Sequence, residues 1–219
     1  MRAVIFANGV VHSDAFLSDW IQLDDVIIAA DGGLQHCQRL GIHPAVVIGD
    51  LDSADPHALD WAKANNARVI HYPPAKNETD LELALMYAID QGLQQIRIVG
   101  ALGGRTDHAI ANLLLLSQFD DPQMDIRFED GIEEVFFIRN QSVIDGLAED
   151  LVSLLPFDKR NVMGVTTDGL AYPLKDDTLT YGKTRGVSNV MLGAHAKVGI
   201  QLGLLLCIHT RITKRGKNE

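Results

Sequence analysis

The sequence predicts an α/β domain followed by an all-β domain: an open, mostly parallel α/β sheet over residues 1–131 and an antiparallel β-sandwich over residues 132–219. In the first half, short apolar runs alternate with segments of helical periodicity, which is typical of parallel strands joined by right-handed crossovers. From about Ile132 onward, short β-type runs are separated by turn residues, and no segment favours a helix. This change of pattern places the domain boundary near Asp130–Gly131, without a long linker.

Strands and helices of the first half follow one another in a regular order. Apolar runs predict strands at Ala3–Ala7, Val26–Ala30, Ala45–Ile48, Arg68–His71 and Ile96–Val99. Helical spacing predicts helices at Leu34–Leu40, Pro56–Asn65, Asp80–Gln91 and His108–Gln118. Asp55 is placed to cap the second of these helices, Pro56 suits its first turn, and Gly92 ends the third.

The second half contains shorter runs of β-type residues. Predicted strands are Val152–Leu155, Val162–Thr167 and Thr178–Tyr181, each followed by turn residues. The segment Ala194–Leu206 alternates as far as Leu204 between apolar residues and polar residues or glycine, so it is predicted to form one strand with one apolar face. Together these runs predict a small antiparallel sandwich or barrel.

Composition and charge restrict the possible functions. The chain has 219 residues, 47% of them hydrophobic, which is enough for a folded core. Its net charge of −10 repels nucleic-acid phosphates, so no nucleic-acid partner is expected. No apolar run approaches the about 20 residues that span a bilayer, and the two cysteines, Cys37 and Cys207, lack metal-ligand spacing. We expect a cytoplasmic protein without a membrane partner, and a solvated basic tail at Lys214–Lys217.

Four of the predicted strands end in loops that are rich in acidic residues and glycine. These loops are Asp31–Gly33, Gly49–Ser53, Lys76–Asp80 and Gly100–His108. Because ligands bind at the carboxyl ends of strands in open parallel sheets, we expect the four loops to meet at one edge of the sheet. Arg105, in the fourth loop, carries a planar guanidinium group that suits a phosphate.

Several carboxylates gathered at one edge need compensation. Two carboxylates about 5 Å apart repel by roughly 3 kcal/mol at an effective dielectric constant of 20. A cluster of three or four therefore holds protons or a hard cation, and Mg²⁺ prefers such oxygen ligands together with substrate phosphates. The spacing of Asp50 and Asp52, directly after a strand, is suited to place two carboxylates near one ion. Neighbouring glycines allow the backbone to approach a ligand closely.

Each of these residues also has a purely structural interpretation. Asp31 suits the end of a strand, and Asp52–Ser53 and Asp80 suit helix caps. Lys76 suits a solvated loop charge, and His108 suits a helix start. The functional interpretation depends on finding four such loops, all directly after strands. The sequence lacks a Walker phosphate loop, a GxGxxG motif after the first strand, a GxSxG motif and an HExxH motif, which argues against those classes of site.

The loop sequences closely resemble those of the thiamine pyrophosphokinase family. The matching motifs are ADGG (Ala30–Gly33), GDLDS (Gly49–Ser53), KNETDLELAL (Lys76–Leu85) and GALGGRTDH (Gly100–His108). The resemblance continues through VSLLPF (Val152–Phe157), TTDGLAYPL (Thr166–Leu174) and GVSN (Gly186–Asn189), so it covers nearly the whole chain. The order and spacing of the motifs agree with the family, and the GDxDS, TD and GGRxDH motifs together are specific.

The resemblance implies an enzyme that transfers diphosphate from ATP to the hydroxyl group of thiamine, with Mg²⁺ as cofactor. It also implies a homodimer, in which each active site lies between the α/β domain of one subunit and the thiamine-binding β domain of the other. The resemblance implies that Asp50, Asp52 and Asp80 bind Mg²⁺ and the ATP phosphates, and that Arg105 and Asp107 are further catalytic residues. The residues implied for the nucleotide pocket are Asp31, Gly32, Ser53, Lys76, Thr79, Gly104 and His108. Those implied for thiamine are Ser188 and Asn189.

Two positions depart from the family pattern. Position 77 is Asn where many members have Asp, which removes a potential ligand. Animal-type members carry a tryptophan in the last strand that stacks on thiamine, and Leu206 occupies the matching position here. A pterin alcohol is therefore an alternative acceptor, and a metal-dependent phosphohydrolase or a non-catalytic nucleotide or cation sensor is an alternative function. The group that accepts the proton of the hydroxyl is open among Asp50, Asp80 and Asp107.

Overall fold

The computed structural model of the protein describes residues 1–212, so the basic tail Lys214–Lys217 lies outside the described residues. The chain divides into two compact units, Met1–Gly131 and Ile132–Glu219. The first is an α/β unit with a parallel sheet, and the second consists of antiparallel strands. The predicted fold class, α/β followed by antiparallel β, is confirmed.

The first unit contains six parallel strands. They are β1 (Arg2–Phe6), β2 (Val26–Ala30), β3 (Val46–Gly49), β4 (Arg68–His71), β5 (Gln95–Val99) and β6 (Asp125–Glu129). Their order in the sheet is β6-β5-β1-β2-β3-β4. The chain therefore builds outward from β1 to β4 on one side and then returns to add β5 and β6 on the other. This reversal creates a topological switch point between β1 and β5, where open α/β sheets bind ligands.

Helices of the first unit connect these strands. They are α1 (Asp14–Trp20), α2 (Leu34–Leu40), α3 (Pro56–Ala64), α4 (Asp80–Asp90) and α5 (Thr106–Ser117). Strands β1 to β5 and helices α2 to α5 lie within two residues of their predicted ends. Helix α1 and strand β6 were not predicted, since α1 is a seven-residue segment and β6 alternates charged with apolar residues. One buried cluster packs Phe6 and Val47 of the sheet against Leu34 of α2, and all three are fully buried.

The second unit consists of two antiparallel sheets. Its strands are β7 (Glu133–Ile138), β8 (Gln141–Asp145), β9 (Leu151–Pro156), β10 (Val162–Asp168), β11 (Asp177–Leu179), β12 (Asn189–Val190), β13 (His195–Gly199) and β14 (Leu205–Thr210). Strands β12-β9-β14-β7 are neighbours in one sheet, and β11-β10-β13-β8 form the other. One buried cluster joins Leu154 and Cys207 of the first sheet to Ile144 and Val198 of the second, as in a sandwich.

The single strand predicted at Ala194–Leu206 is wrong. The segment forms two strands that belong to different sheets: β13 pairs with β8 and β10, whereas β14 pairs with β7 and β9. Between them the chain turns at Gly203, which has φ of 105°, and Leu202 is 56% exposed instead of facing the core. Alternation continues across the turn in the sequence, so periodicity alone does not reveal that the chain changes sheets.

Among residues 1–212, no helix combines the length and the apolar character that crossing a membrane requires.

Candidate active site

A cleft of about 550 Å³ lies at the carboxyl ends of the strands of the first unit. The predicted site residues that line it are Asp31, Asp50, Asp52, Ser53, Lys76, Thr79, Asp80, Gly104, Arg105 and His108. All four predicted loops therefore contribute to one cavity. Asn8, Gly9, Glu78 and Asn112 also line it and were not predicted.

The cleft contains a compact acidic cluster formed by Asp31, Asp50 and Asp52. One carboxylate oxygen from each lies within 4.8 Å of the others. Asp31 follows β2, and the other two follow β3, the neighbouring strand, so parallel pairing brings them together. The backbone N–H of Asp52 donates to Oδ1 of Asp50 at 3.3 Å, and the hydroxyl of Ser53 donates to Oδ1 of Asp52 at 3.0 Å. These contacts orient two carboxylates toward the third.

Asp31 is the buried member of the cluster and is under strain. It is 8% exposed, its φ is 44°, and its Oδ1 has no hydrogen-bond partner among residues 1–212. Burial raises the pKa of its carboxyl group, and the negative charges of Asp80 and Asp50 add to this effect. The backbone N–H of Gly32 and the hydroxyl of Ser53 act in the opposite direction. A buried carboxylate oxygen without a donor is a position that a cation can satisfy.

Lys76 lies between two of the predicted metal ligands. Its Nζ is 3.3 Å from Oδ2 of Asp50 and 2.8 Å from Oδ1 of Asp80. Burial disfavours the charged form of Lys76, but the carboxylates of Asp80 and Asp50 outweigh burial and raise its pKa. The pKa of Asp50 is lowered, mainly by the N–H of Asp52 and further by Lys76. Both groups are therefore charged at neutral pH, and Lys76 offsets part of the negative charge of the cleft.

The N-termini of α4 and α3 are not capped by Asp80 or Asp52. Thr79 caps α4, because its Oγ1 accepts from the backbone N–H of Glu82 at 3.2 Å. Asp55 caps α3 by accepting from the N–H of His57 at 2.9 Å, as the sequence predicted. Asp80 and Asp52 therefore do not serve as helix caps, and both residues line the cleft.

Gly49, the last residue of β3, allows the acidic residues to approach one another. A Cβ atom at this position would lie 3.1 Å from both the Cβ of Asp31 and Oδ1 of Asp80. Its φ of 153° adds a conformation that side chains rarely adopt. A Cβ at Gly32, which is predicted to lie in the nucleotide pocket, would lie 2.4 Å from Cγ of Asn8, a residue that lines the cleft. A side chain at position 32 would therefore displace Asn8.

Arg105 and Asp107 form an exposed ion pair at the start of α5. Nε of Arg105 donates to Oδ1 of Asp107 at 3.1 Å, and a second nitrogen donates to Oδ2 at 2.6 Å. The guanidinium lowers the pKa of Asp107 to about 2. Arg105 and His108 line the cleft, and the Asp107 carboxylate is paired at its edge.

The two predicted acceptor residues of the second unit differ in their surroundings. The side chain of Asn189 is bonded at both ends of its amide: its Oδ1 accepts from the N–H groups of Tyr172 and Val190, and its Nδ2 donates to the carbonyl of Tyr172 at 2.8 Å. Ser188 is exposed, has φ of 60°, and its N–H donates to Oγ of Ser153 at 3.0 Å. Asn189 borders a cavity of about 480 Å³. Leu206, at the position of the family tryptophan, is 5% exposed in β14.

The residues that sequence reasoning missed had detectable signals. Asn8 and Gly9 follow β1, so the rule applied to the other four strands also finds them. They were passed over because the loop after β1 carries no acidic residue. Asn112 lies one helical turn after His108 on α5, and its Nδ2 donates to the carbonyl of Ala101 at 2.7 Å. That bond connects α5 to the loop Gly100–His108 and restrains the loop at Ala101.

The donor set of the cleft fits a hard divalent cation. Three carboxylate oxygens within 4.8 Å of one another and an unsatisfied buried Oδ1 on Asp31 match the oxygen preference of Mg²⁺. Among residues 1–212, no cysteine lines the cleft, and the one histidine that does is His108. These ligands therefore favour magnesium over the softer transition metals.

Comparison with known proteins connects both units to one family. The model for "Thiamin pyrophosphokinase, catalytic domain" matches residues 17–128, which include the acidic cluster. The model for "Thiamin pyrophosphokinase, vitamin B1 binding domain" matches residues 140–205, which include the cavity beside Asn189.

Individual relatives agree with the family models. The chain is 27% identical over 208 residues to the thiamine pyrophosphokinase of Bacillus subtilis (strain 168), covering 94% of this chain and 97% of the relative. It is 26% identical over 156 residues to thiamin pyrophosphokinase 1 of Caenorhabditis elegans, covering 67% of this chain but only 62% of that protein.

Solved structures give the same result. The crystal structure of thiamine pyrophosphokinase from Bacillus subtilis matches with a TM-score of 0.86 at 26% identity, covering 97% of this chain and 100% of that one. Thiamin pyrophosphokinase from Candida albicans, at 15% identity, shares the fold with a TM-score of 0.77, covering 96% and 88% of the two chains. Since the catalytic-domain model alone spans more than half of the sequence and includes its acidic cleft, this chain belongs to the thiamine pyrophosphokinase family.

Proposed function

We propose that this chain carries out the reaction of its family, transfer of diphosphate from ATP to the hydroxyl group of thiamine, with Mg²⁺ held in the acidic cleft of the first unit. The observation that carries the proposal is the cluster of Asp31, Asp50 and Asp52, whose carboxylate oxygens lie within 4.8 Å of one another. Lys76 and Arg105 line the same cleft and supply positive charge for phosphate oxygens. The products are thiamine diphosphate and AMP.

Magnesium in this site would be held by Asp50, Asp52 and Asp31, with Asp80 close by, and would neutralise charge on the ATP phosphates. The family motifs imply Asp50, Asp52 and Asp80 as ligands. In the set proposed here, Asp31 takes the place of Asp80. The support for Asp31 is its buried, unsatisfied Oδ1. The role of Lys76 is to bridge Asp50 and Asp80 and to present its ammonium group to the nucleotide.

The transfer itself is a displacement at the β-phosphorus. The acceptor oxygen forms a bond to that phosphorus, the bond to the oxygen bridging the α- and β-phosphates breaks, and AMP leaves with the electron pair. Positive groups fixed in the cleft stabilise the charge that spreads over the phosphoryl oxygens, and Arg105 is the exposed cation best placed for this.

A carboxylate accepts the proton of the hydroxyl group. Among Asp50, Asp80 and Asp107, the last has both of its oxygens bonded to Arg105, which lowers its pKa to about 2. We therefore assign Asp107 to positioning Arg105, and leave proton transfer to a carboxylate inside the cleft.

We propose that the protein forms a homodimer, in which the first unit binds ATP and the second binds thiamine. We further propose a cytoplasmic location, where ATP and Mg²⁺ are supplied. The net charge of −10 argues against a nucleic-acid partner. Light scattering on the purified chain tests the dimer directly, and a monomeric mass at assay concentration would reject it.

The reaction is tested by measuring AMP and thiamine diphosphate after incubation with ATP and Mg²⁺. We expect AMP to form only when thiamine is present, in a one-to-one ratio with thiamine diphosphate, and to disappear in excess EDTA. AMP formed with a pterin alcohol but not with thiamine would replace the acceptor. Inorganic phosphate released without any acceptor would replace the reaction by hydrolysis, and the absence of turnover would indicate a binding protein.

A further inference from the structure

The loop after β1 forms part of the wall of the acidic cleft, although it has no regular secondary structure. Residues 7–13 join β1 to α1, and Ala7, Asn8 and Gly9 line the cleft. Strand β1 lies beside β5 at the topological switch point, where open α/β sheets bind ligands. An irregular segment at this place binds a ligand at low entropic cost only if the rest of the fold already holds it in position.

The backbone of β5 and of the residue after it restrains one side of this loop. The N–H of Ala7 donates to the carbonyl of Val99 at 2.8 Å, and the N–H of Gly9 donates to the carbonyl of Gly100 at 2.7 Å. The two segments approach so closely that a Cβ at Gly9 would lie 2.2 Å from the carbonyl oxygen of Gly100. These bonds restrain the loop through its N–H groups.

A histidine side chain of α2 restrains the same loop through a carbonyl group. Nε2 of His36 lies 2.9 Å from the carbonyl oxygen of Gly9, and its Nδ1 lies 2.8 Å from a terminal nitrogen of Arg39. A carbonyl oxygen only accepts and a guanidinium only donates, so the two contacts require a neutral ring with its proton on Nε2. Arg39 is itself held by an ion pair with Asp14 at the start of α1.

Burial favours the same protonation state of this histidine. It lowers the pKa of His36, and the hydrogen bond to the carbonyl of Gly9 only partly opposes this effect. The neutral ring therefore donates to the loop with a proton whose position is fixed by its neighbours.

The helix that carries His36 begins at the acidic cluster. The segment Asp31–Gly33 leads directly into α2, and a Cβ at Gly33 would lie 1.9 Å from the carbonyl oxygen of Phe6, the last residue of β1. Helix α2 therefore starts in close contact with the end of β1 and reaches the following loop through His36. One short helix thus links the carboxylate of Asp31 to the neighbouring wall of the cleft.

Within residues 1–212, His36 is not one of the residues that line the cleft, so its effect on a ligand there acts through the loop. We propose that His36 is a positioning residue for the nucleotide, which holds Ala7–Gly9 in the conformation that receives MgATP by donating a hydrogen bond to the carbonyl of Gly9. The inference rests on the proposed function, because it concerns the nucleotide of that same reaction.

The test compares two variants of His36 with a matched control. His36→Leu removes both ring nitrogens and keeps an apolar side chain of similar size. His36→Gln is the conservative variant, because a glutamine amide places an N–H donor near the position of Nε2. His57→Leu is the control, since His57 lies exposed on α3 of the same unit and is not one of the described residues that line the cleft.

For each protein, kcat and KM are measured for ATP at saturating thiamine and for thiamine at saturating MgATP. Equilibrium dialysis with Mg²⁺ and the α,β-methylene analogue of ATP measures nucleotide binding without turnover, because the analogue lacks the bridging oxygen at which the transfer breaks ATP. A thermal melt of each variant shows whether the fold is retained.

We expect His36→Leu to raise KM for ATP about 5-fold and to weaken binding of the analogue by a similar factor, because the hydrogen bond that orders the loop is lost. Its kcat and its KM for thiamine should stay within about 2-fold of the wild type, since the bond supports nucleotide binding and takes no part in the transfer. His36→Gln should recover most of the affinity for ATP, and His57→Leu should stay within about 2-fold of the wild type in every constant.

A His36→Leu protein with unchanged affinity for the analogue, or one whose KM rises equally for ATP and thiamine, would overturn the inference and leave the proposed function intact. So would a His36→Gln protein that is folded and as impaired as His36→Leu. If His36→Leu does not fold, Arg39→Met takes its place, because it removes the group that fixes the tautomer and leaves the histidine. A raised KM for ATP alone then supports the inference, and an unchanged KM overturns it.

The proposed function can fail separately. A wild-type chain that binds the analogue but forms no AMP with thiamine would reject the proposed reaction, and dialysis of the variants would still decide the role of His36. A wild-type chain that binds no nucleotide would overturn both.

Discussion

In the acidic cleft of the first unit, Oδ1 of Asp31 is buried and has no hydrogen-bond partner within residues 1–212, and one oxygen from each of Asp31, Asp50 and Asp52 lies within 4.8 Å of the others. In the cavity of the second unit, the amide of Asn189 is bonded on both its oxygen and its nitrogen. The first region leaves polar atoms for a ligand to satisfy. The second uses its polar side chain to hold the backbone and offers the ligand an apolar and aromatic surface.

This difference fits the ligands that we propose for each region. A cation and a triphosphate are held by charge, so the protein tolerates repulsion among carboxylates until the ligand arrives. A small organic ring is held by contact area and shape, so rigid walls matter more than unsatisfied groups. Substitutions should therefore affect catalysis without loss of stability in the first region, and stability together with binding in the second.

The largest effect is expected from Asp52→Asn in the acidic cluster. The change keeps the side-chain volume but removes a charged ligand, so turnover should fall by at least about 100-fold while the melting temperature is retained. Asp55→Asn is the matched control, because Asn caps a helix as well as Asp does and Asp55 caps α3. A steady-state AMP assay and a thermal melt on both variants check this, and full activity in Asp52→Asn would remove Asp52 from the site.

Asp31→Asn should separate activity from stability. Turnover should fall about 10-fold or more, because a ligand to the cation is lost. The melting temperature in EDTA should rise, because Asn tolerates the φ of 44° and places no charge in a buried position.

The pH dependence of this stabilisation follows from the raised pKa of Asp31. The cost of its ionised form is present above the raised pKa and disappears as the pH falls toward the ordinary value of 3.8. The gain in melting temperature should therefore be greatest at neutral pH and shrink on acidification. Asp60→Asn, on the exposed face of α3, should show no such gain, and a destabilised Asp31→Asn protein would contradict the account.

Asn189→Ala tests the second region. The variant removes the partners of the part-buried N–H and carbonyl groups of Tyr172, which should cost on the order of 1 kcal/mol of unfolding free energy. KM for thiamine should rise a few-fold because the backbone that lines the cavity at Tyr172 loses its support, and KM for ATP should not change. The exposed Asn140→Ala is the control and should stay within about 0.5 kcal/mol. Urea denaturation measures both; a fully stable Asn189→Ala protein that loses thiamine binding would instead make Asn189 a direct contact.

The smallest effect is expected from Asp107→Asn. Because both partners of the Arg105–Asp107 pair are exposed, the melting temperature should not change measurably. If Asp107 only positions Arg105, kcat should fall less than about 10-fold, less than in Arg105→Ala, and the double variant should resemble Arg105→Ala alone. A loss of more than about 100-fold in Asp107→Asn alone would identify Asp107 as the base after all.

The fold class followed from patterns that operate over short distances. Strands β1, β2 and β3 are buried on both faces and therefore consist of nearly continuous apolar runs, and caps such as Asp55 mark helix starts. Local patterns failed where the tertiary context decides. The alternation of the segment 194–206 continues past the turn to Leu204, yet the segment divides between two sheets because Gly203 turns the chain.

The sequence by itself determined which residue types follow each strand, and hence that four acidic loops meet at one edge of a parallel sheet. Only the tertiary structure decided which carboxylates approach within 4.8 Å, that Lys76 lies between Asp50 and Asp80, and that Asn189 supports Tyr172. The reason is physical: periodicity and capping act between neighbours along the chain, whereas distances, burial and pKa values depend on groups that only folding brings together.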